Sequence, residues 1–402
     1  MSGIVVAGAG QAGHSLAEKL RALGYAGPLT LIGAEPVPPY ERPPLSKTYL
    51  MGETEKERLF LRPEKIYADK DIILRLGTSV TSIDRDGKTV MLGGDTLAYD
   101  QLALTTGSIP NRLPAAIGGH LEGVFTVRTL ADIDRMKPHF AEGARVLVVG
   151  GGYIGLEAAS VAAKLGLKVT VIEMAIRILG RVAAPETAAV VRDEHLAHGV
   201  DLREGIGLVR LTGEDGRVTA ATLTDDTEIP VDFVIVGTGI RPDTSLAEAA
   251  GIFCENGIAV DEMGRTSVPD IWAAGDCTSF PYKGGRLRLE SVQNAIDQGE
   301  AVAANMLGAN TPYVPYPWFW SDQYDLKLQI AGLNTGYDRM VVRQGDGSHS
   351  HWYYKGGQLL AVDAFSAARD YMVGKRLLEM GKTADPKAVA DPATNLKALL
   401  KG

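Results

Sequence analysis

Glycines recur at two places in this 402-residue chain with a spacing that suits the binding of phosphate. In the stretch VLVVGGGYIGLE, Gly150, Gly152 and Gly155 follow the apolar run Val146–Val149 and open a helical pattern, which predicts a strand, a tight turn and a helix start. The first glycine permits the turn, the second lets the backbone approach a pyrophosphate, and the third lets helix pack on strand. Unpaired N–H groups at the helix start then face the phosphates. Downstream, KVTVIE at Lys168–Glu173 predicts a second strand ending in an acid, placed where such folds hydrogen-bond an adenosine ribose. One such pattern is weak, but the chain contains it twice: Ile4–Ala7 is a strand, Gly8, Gly10 and Gly13 repeat the spacing, and Leu29–Ile32 leads to Glu35. Two dinucleotide sites imply one nucleotide held as a prosthetic group and one that exchanges. FAD with NAD(P)H is the natural pair.

The elements that must position these residues follow from periodicity and punctuation. Ala12–Leu23 has the spacing of an amphipathic helix. PVPPYERPPLSKTY at Pro36–Tyr49 is too rich in proline for a regular helix or central strand, and it sets Arg42 and Lys47 in a rigid loop suited to holding charge against a ligand. Strands are expected over Ile72–Thr81 and Thr89–Met91, with a turn at Asp86–Gly87. Two further strands, Leu102–Gly107 and Val231–Gly239, both end in Thr-Gly and resemble paired crossings into and out of an inserted domain. Ile271–Asp276 is a short apolar run ending in an acid, and a helix pattern resumes at Ser291–Met306. That would put Asp276 near a helix N-terminus, as a cap or as a ligand contact, and pattern alone leaves both open. Beyond Pro312–Pro317, strand-like runs at Leu328–Ala331, Met340–Val342 and Leu359–Val362 and a helix at Ala367–Met380 predict a small α+β domain.

Composition fits a soluble α/β protein: 45% hydrophobic, 22% charged, and 41 basic against 49 acidic residues for a net charge of −8. That balance argues against nucleic acid as a partner. Cys254 and Cys277 lie far apart with no C-x-x-C and no ligand-like spacing to histidine, so they read as small buried thiols, and neither a metal site nor a redox disulfide is expected. No stretch reaches eighteen uninterrupted apolar residues and the first strand begins at once without a basic leader, so a cytoplasmic, non-membrane protein is expected.

Taken together the motifs resemble one family over essentially the full length: the FAD- and NADH-dependent ferredoxin reductases that serve bacterial oxygenases and cytochromes P450. Its carriers are GAGQAG at Gly8–Gly13, YERPPLSK at Tyr40–Lys47, GGGYIGLE at Gly150–Glu157, GTGIRP at Gly237–Pro242, AAGD at Ala273–Asp276, ESVQNA at Glu290–Ala295 and WFWSDQY at Trp318–Tyr324. The glycine motifs recur across the wider glutathione-reductase-like superfamily, whereas YERPPLSK with WFWSDQY is much narrower. The resemblance implies an α/β fold of two Rossmann-like dinucleotide domains plus a small α+β C-terminal domain. FAD would occupy residues 1–109 and 236–315, NAD residues 110–235, and residues 316–402 would lie beside the flavin. Gly8, Gly10, Gly13 and Glu35 would bind the ADP half of FAD, and Asp276 its ribityl or pyrophosphate portion. Arg42, Lys47, Val292 and Trp320 match positions at the flavin, and Glu157 matches an acid near the flavin where nicotinamide docks. Gly150, Gly152, Tyr153, Ile154, Gly155 and Glu173 would hold NADH, with Arg181 beyond them.

Two absences set the chain apart from the family's superfamily relatives. It lacks the cysteine pair of a disulfide reductase, and it lacks the flavin-facing cysteine that an NADH oxidase of this fold carries in the region of Leu45–Thr48. Reduced flavin must then pass electrons directly to an external acceptor, expected to be a [2Fe-2S] ferredoxin. NADH supplies a two-electron hydride, an iron–sulfur acceptor takes one electron at a time, and a flavin can do both. Lys47 and Glu157 are the candidates for tuning it, since a cation favours anionic reduced flavin and an acid can pair with that cation; the alternative is a surface ion pair without a role. Trp320 is expected to pack on the flavin rather than to relay electrons. Rubredoxin reductase, direct NADH oxidase and an apoptosis-inducing-factor-like flavoprotein are the competing functions, and a monomer or weak homodimer is expected.

Overall fold

A computed structural model describes residues 2–401. The chain divides into two units, the first made of residues 1–41, 56–109 and 241–317 and the second of residues 42–55, 110–240 and 318–402.

The first unit is built on a sheet in the order Ile72–Arg75, Leu29–Ile32, Gly3–Ala7, Asp95–Leu104, Thr89–Leu92, Val80–Asp84. Ile271–Ala273 also pairs with Asp95–Leu104, in parallel. Gly3–Ala7 and Leu29–Ile32 are buried along their whole length, as expected of parallel strands covered on both faces. The run expected over Ile72–Thr81 is two strands, because Gly77 turns the chain at φ +64° between Arg75 and Val80. Helices Gln11–Ala22 and Val292–Met306 cross closely where Gly299 lies against backbone, a Cβ there coming within 2.8 Å of the Ala12 carbonyl oxygen. Asp276 does not begin that second helix. Two strands, Thr278–Tyr282 and Gly285–Leu287, intervene, and the cap is Ser291, whose hydroxyl accepts from the Asn294 N–H.

The second unit contains a five-stranded parallel sheet in the order Asp201–Glu204, Lys168–Glu173, Arg145–Val149, Phe233–Val236, Val124–Thr126. A three-stranded antiparallel sheet, Leu208–Glu214, Arg217–Leu223 and Glu228–Pro230, buries Leu211, Val218, Ala221 and Leu223 in one core with Leu147 and Val234. The C-terminal segment is a five-stranded antiparallel sheet in the order Trp318–Gln323, Leu326–Gly332, Gln358–Phe365, His349–Lys355, Arg339–Gln344. Helix Ala368–Glu379 packs on it through Gly374, where a Cβ would meet Val362 at 2.6 Å. Arg343 anchors the tail that follows by donating to the carbonyls of Val389, Asp391, Pro392 and Thr394. The chain is thus an α/β fold of two dinucleotide-type sheets with a C-terminal α+β segment. No helix among the described residues is long and apolar enough to cross a membrane.

Candidate functional site

The two glycine turns have the same geometry, each within its own unit. Gly8 has φ +122° and Gly150 φ +106°, values that L side chains rarely adopt, and a Cβ on either would strike the backbone of Thr105 or Gly237 at 2.2 or 2.5 Å. Gly13 and Gly155 pack against their own turns, a Cβ coming within 2.0 Å of the Gly8 oxygen and 2.4 Å of the Gly150 oxygen. The middle glycines differ in kind. Nothing lies within 4 Å of a Cβ on Gly10, and the nearest atom to one on Gly152 is at 3.7 Å. Space is kept there for something other than protein. Both middle glycines cap their helices without a side-chain hydrogen bond, and neither helix has an acid in its first turn. The N-terminal N–H groups are left for an anion. This geometry fits the pyrophosphates of two dinucleotides.

At the second turn Tyr153 is drawn inward, its ring 4.8 Å from that of Phe319 and its hydroxyl buried without a hydrogen-bond partner. Tyr153 is the first residue of the helix after the Gly152 cap, and Ile154 beside it is exposed. The carboxylate of Glu173 accepts from the N–H groups of Gly151 and Ala175, both at 2.8 Å, which fixes the acid at the rim of the turn. The Arg181 guanidinium lies over Gly239, where a Cβ would come within 2.8 Å of its Nη2. In the first unit the corresponding acid, Glu35, accepts from the Tyr40 hydroxyl at 2.7 Å. There Asp276 accepts from Ser108 at 3.1 Å, and Val292 is the first residue of its helix, beside the Ser291 cap.

The proline loop forms a short helical turn at Pro43–Ser46 and brings Lys47 to Glu157. Lys47 Nζ lies 2.6 Å from Glu157 Oε2, with side chains 16% and 5% exposed, so the pair is not a surface ion pair. Ser46 donates to the same oxygen at 2.7 Å, and Ser321 donates to Oε1 at 2.7 Å. Three segments remote in sequence meet on one carboxylate. Arg42 is turned elsewhere in the same unit, donating to the Arg128 carbonyl at 2.6 Å. Trp320 alternates with Ser321 along its strand and so takes the opposite face, tilted against Trp318 at 5.6 Å; it does not join the Lys47–Glu157 pair.

The partners of Glu157 that sequence reasoning missed are Ser46 and Ser321, with Gln323 and His195 behind them. Gln323 donates to Ser321 at 3.1 Å and shares a 2.7 Å hydrogen bond with His195. Burial lowers the His195 pKa to about 4, so the ring is neutral. The available signal was the alternation of Phe319, Ser321 and Gln323, which places them on one strand face.

Both cysteines are free, and Cys277 is buried with its thiol pushed up to about 11 by desolvation. Cys254 is half-buried and its pKa is also raised by burial. Neither has the depressed pKa of a redox thiol. No group of three or more His, Cys, Asp or Glu among the described residues could hold a metal.

The pyridine nucleotide-disulphide oxidoreductase family matches residues 2–299, and the reductase C-terminal family matches residues 318–400. A ferredoxin–NAD(P)+ reductase from a Sphingomonas species is 43% identical, covering 98% of this chain and 96% of its own. A structure of putidaredoxin reductase in covalent complex with putidaredoxin superposes with a TM-score of 0.96 at 38% identity, over 100% of this chain and 98% of the other. A ferredoxin reductase from Rhodopseudomonas palustris superposes with a TM-score of 0.95 at 39% identity, over 99% of each chain. With duplicated phosphate turns, no redox-active thiol and full-length likeness to these reductases, the chain belongs to the pyridine nucleotide-disulphide oxidoreductase family, in its ferredoxin reductase branch.

Proposed function

We propose that the protein takes a hydride from NADH onto FAD and passes electrons singly to a [2Fe-2S] ferredoxin that serves a cytochrome P450 or another oxygenase. The observation that carries this reading is that two open phosphate cradles of one geometry are served by no reactive thiol. Electrons from the flavin then have no covalent relay within the chain and leave for an external carrier. The ferredoxin named in the relatives, and the putidaredoxin bound in the complex, supply the chemistry of that carrier.

In this reading residues 1–109 and 236–315 hold FAD, with Gly8, Gly10 and Gly13 at its pyrophosphate, Glu35 at its adenosine ribose, Asp276 and Val292 along the remainder, and Arg42 and Trp320 near its ring. Residues 110–235 hold NADH, with the Gly150–Gly155 turn and the N–H groups of Tyr153 and Ile154 at the pyrophosphate. Glu173 accepts from the ribose hydroxyls and repels a 2′-phosphate, and Arg181 contacts the dinucleotide. FAD, when bound, supplies the conversion of a two-electron donor into a one-electron donor. Lys47 would place a positive charge beside the flavin, where a cation favours the reduced form. Glu157 holds that ammonium in a fixed direction, and Ser46 and Ser321 hold the carboxylate. Residues 316–402 form the C-terminal domain, and the ferredoxin approaches on its side, leaving the nicotinamide path free.

Paired kinetics on the FAD-loaded protein test the reading. NADH–ferricyanide turnover reports flavin reduction, and cytochrome c reduction with added ferredoxin reports the full route. Cytochrome c reduction should require the ferredoxin and consume little oxygen, and a rubredoxin should substitute poorly. Stoichiometric oxygen consumption without any carrier would show an NADH oxidase instead.

A further inference from the structure

Glu157 ends a chain of hydrogen bonds whose direction is dictated from its charged end. A carboxylate accepts only, so Ser321 spends its O–H on Oε1 and has only lone pairs left for Gln323. The Gln323 amide must therefore present Nε2–H to Ser321, at 3.1 Å, and turn Oε1 the other way. Oε1 also accepts only, so the His195 ring, 2.7 Å away, must carry its proton on Nε2. Nδ1 is then bare, and the Tyr324 hydroxyl at 3.2 Å donates to it. Every donor points toward Glu157.

The chain is built rather than incidental. Glu157, Ser321, Gln323 and His195 are all buried, at 4%, 1%, 2% and 0% exposure, so no water competes for these groups. Tyr324 is held at φ 54°, a backbone region uncommon for a residue of its kind, and its ring stacks on His198 at 3.7 Å while its carbonyl accepts from Lys164 at 3.0 Å. Four segments contribute: the proline loop, helix Tyr153–Lys164, helix Pro185–Ala197 and strand Trp318–Gln323. Buried polar chains of this kind specify one arrangement when every member is satisfied.

We propose that His195 is a positioning residue for the Lys47–Glu157 pair: through Gln323 and Ser321 its ring tautomer is coupled to the carboxylate, and the coupling fixes the direction in which Glu157 holds the Lys47 ammonium. The proposal rests on the reading above that this pair serves the flavin. In Glu157→Gln, Lys47 and Ser46 keep the amide oxygen and the NH2 faces Ser321, which must then accept and turn its O–H to Gln323. Gln323 must flip its amide, and His195 must move its proton from Nε2 to Nδ1. The whole chain reverses.

The test uses the FAD-loaded protein and reads the His195 tautomer by 15N NMR. The wild type should show the Nε2–H form and Glu157→Gln the Nδ1–H form. Ser321→Ala, which cuts the chain, should abolish that response in the double variant. A wild-type Nδ1–H form, or a tautomer indifferent to Glu157→Gln, overturns the proposal. In stopped flow, His195→Leu should slow flavin reduction by NADH about tenfold with KM nearly unchanged, as expected for loss of one buried hydrogen bond, that to the Gln323 amide. His195→Gln, which keeps an Nε2–H toward Gln323, should restore most of the rate. No slowing in His195→Leu overturns the positioning role. If Glu157→Gln flips the tautomer yet leaves flavin reduction at the wild-type rate, the coupling stands and the assignment of the pair to the flavin fails.

Discussion

At the scale of single residues, charge in a buried setting decides the outcome. Lys47 and Glu157 are each too enclosed to be neutral bystanders, and removing one leaves the other desolvated without its counter-charge. Lys47→Ala should lower stability by about 3 kcal/mol, the scale on which broken buried ion pairs are felt, and should slow flavin reduction while FAD is retained. Denaturant midpoints and stopped-flow absorbance check the two effects separately, and unchanged values in both would make the pair a passive contact. Glu173 is a different case, because its two backbone donors hold the carboxylate in place before any ligand arrives. NADH should be preferred over NADPH, and Glu173→Ala should reduce the ratio of kcat/KM values at least tenfold. An unchanged ratio would mean that another group reads the ribose.

At the scale of elements, the three glycines of each turn have separable duties that substitution can resolve. Gly155→Ala drives a Cβ to 2.4 Å from the Gly150 oxygen and must separate helix from strand, so a loss of 1–3 kcal/mol is expected, as for other overpacked sites. Gly152→Ala meets nothing closer than 3.7 Å, at an ordinary extended backbone of φ −83° and ψ 170°. It should leave stability within about 1 kcal/mol, the cost of a poorer helix cap. KM for NADH should nevertheless rise, about tenfold, because the methyl group occupies the approach of the pyrophosphate. Thermal melts beside NADH titrations distinguish the two variants; equal effects of both on folding would show that the second glycine is structural as well. In the strand Trp318–Gln323, alternation sends the aromatic and the polar residues of one motif to different work. Trp318 and Trp320 share one face, and Ser321 and Gln323 the other.

At the scale of the molecule, buried ionisable groups set how stability follows pH. Desolvation lowers His14, His195 and His351 to about 4 in the folded protein, below the ordinary 6.5. The unfolded chain therefore binds more protons between those values, and stability must fall as pH drops from about 6.5 toward 4. Each histidine contributes on the order of 2 kcal/mol of that loss at pH 5. Asp363 acts the other way. Burial raises its carboxyl to about 6, so the folded state prefers it protonated and stability falls as pH rises from about 4 through 6. Three histidines outweigh one aspartate, and the thermal midpoint should fall on going from pH 7 to pH 5. His14→Gln, which can still meet the Tyr67 hydroxyl now 2.8 Å from His14 Nδ1, should flatten that slope. A pH profile with the same slope would show that the burial of His14 does not set it.

What the sequence determined by itself was everything that depends on neighbours along the chain. Both glycine turns, Leu29–Ile32 and the helix ending at Met306 were legible because strand, turn and helix signals are local, and their duplication spoke for two dinucleotides. Asp276 was misplaced beside a helix start because the two short strands after it, Thr278–Tyr282 and Gly285–Leu287, carry too little periodicity to announce themselves. The strand His349–Lys355 went unread for a similar reason: polar residues open it, yet His351 and Tyr353 are buried with Thr187 and Asp363, partners from other elements. The pairing of Lys47 with Glu157 was reached only through family resemblance. Ser46, Ser321, Gln323 and His195 were not reached at all. Serine, glutamine and histidine read as surface residues wherever they occur in a sequence, and only the tertiary structure shows that water has been excluded from them. Their hydrogen bonds join residues 46, 157, 195, 321 and 323, whose contact depends on how loop, helices and strand pack.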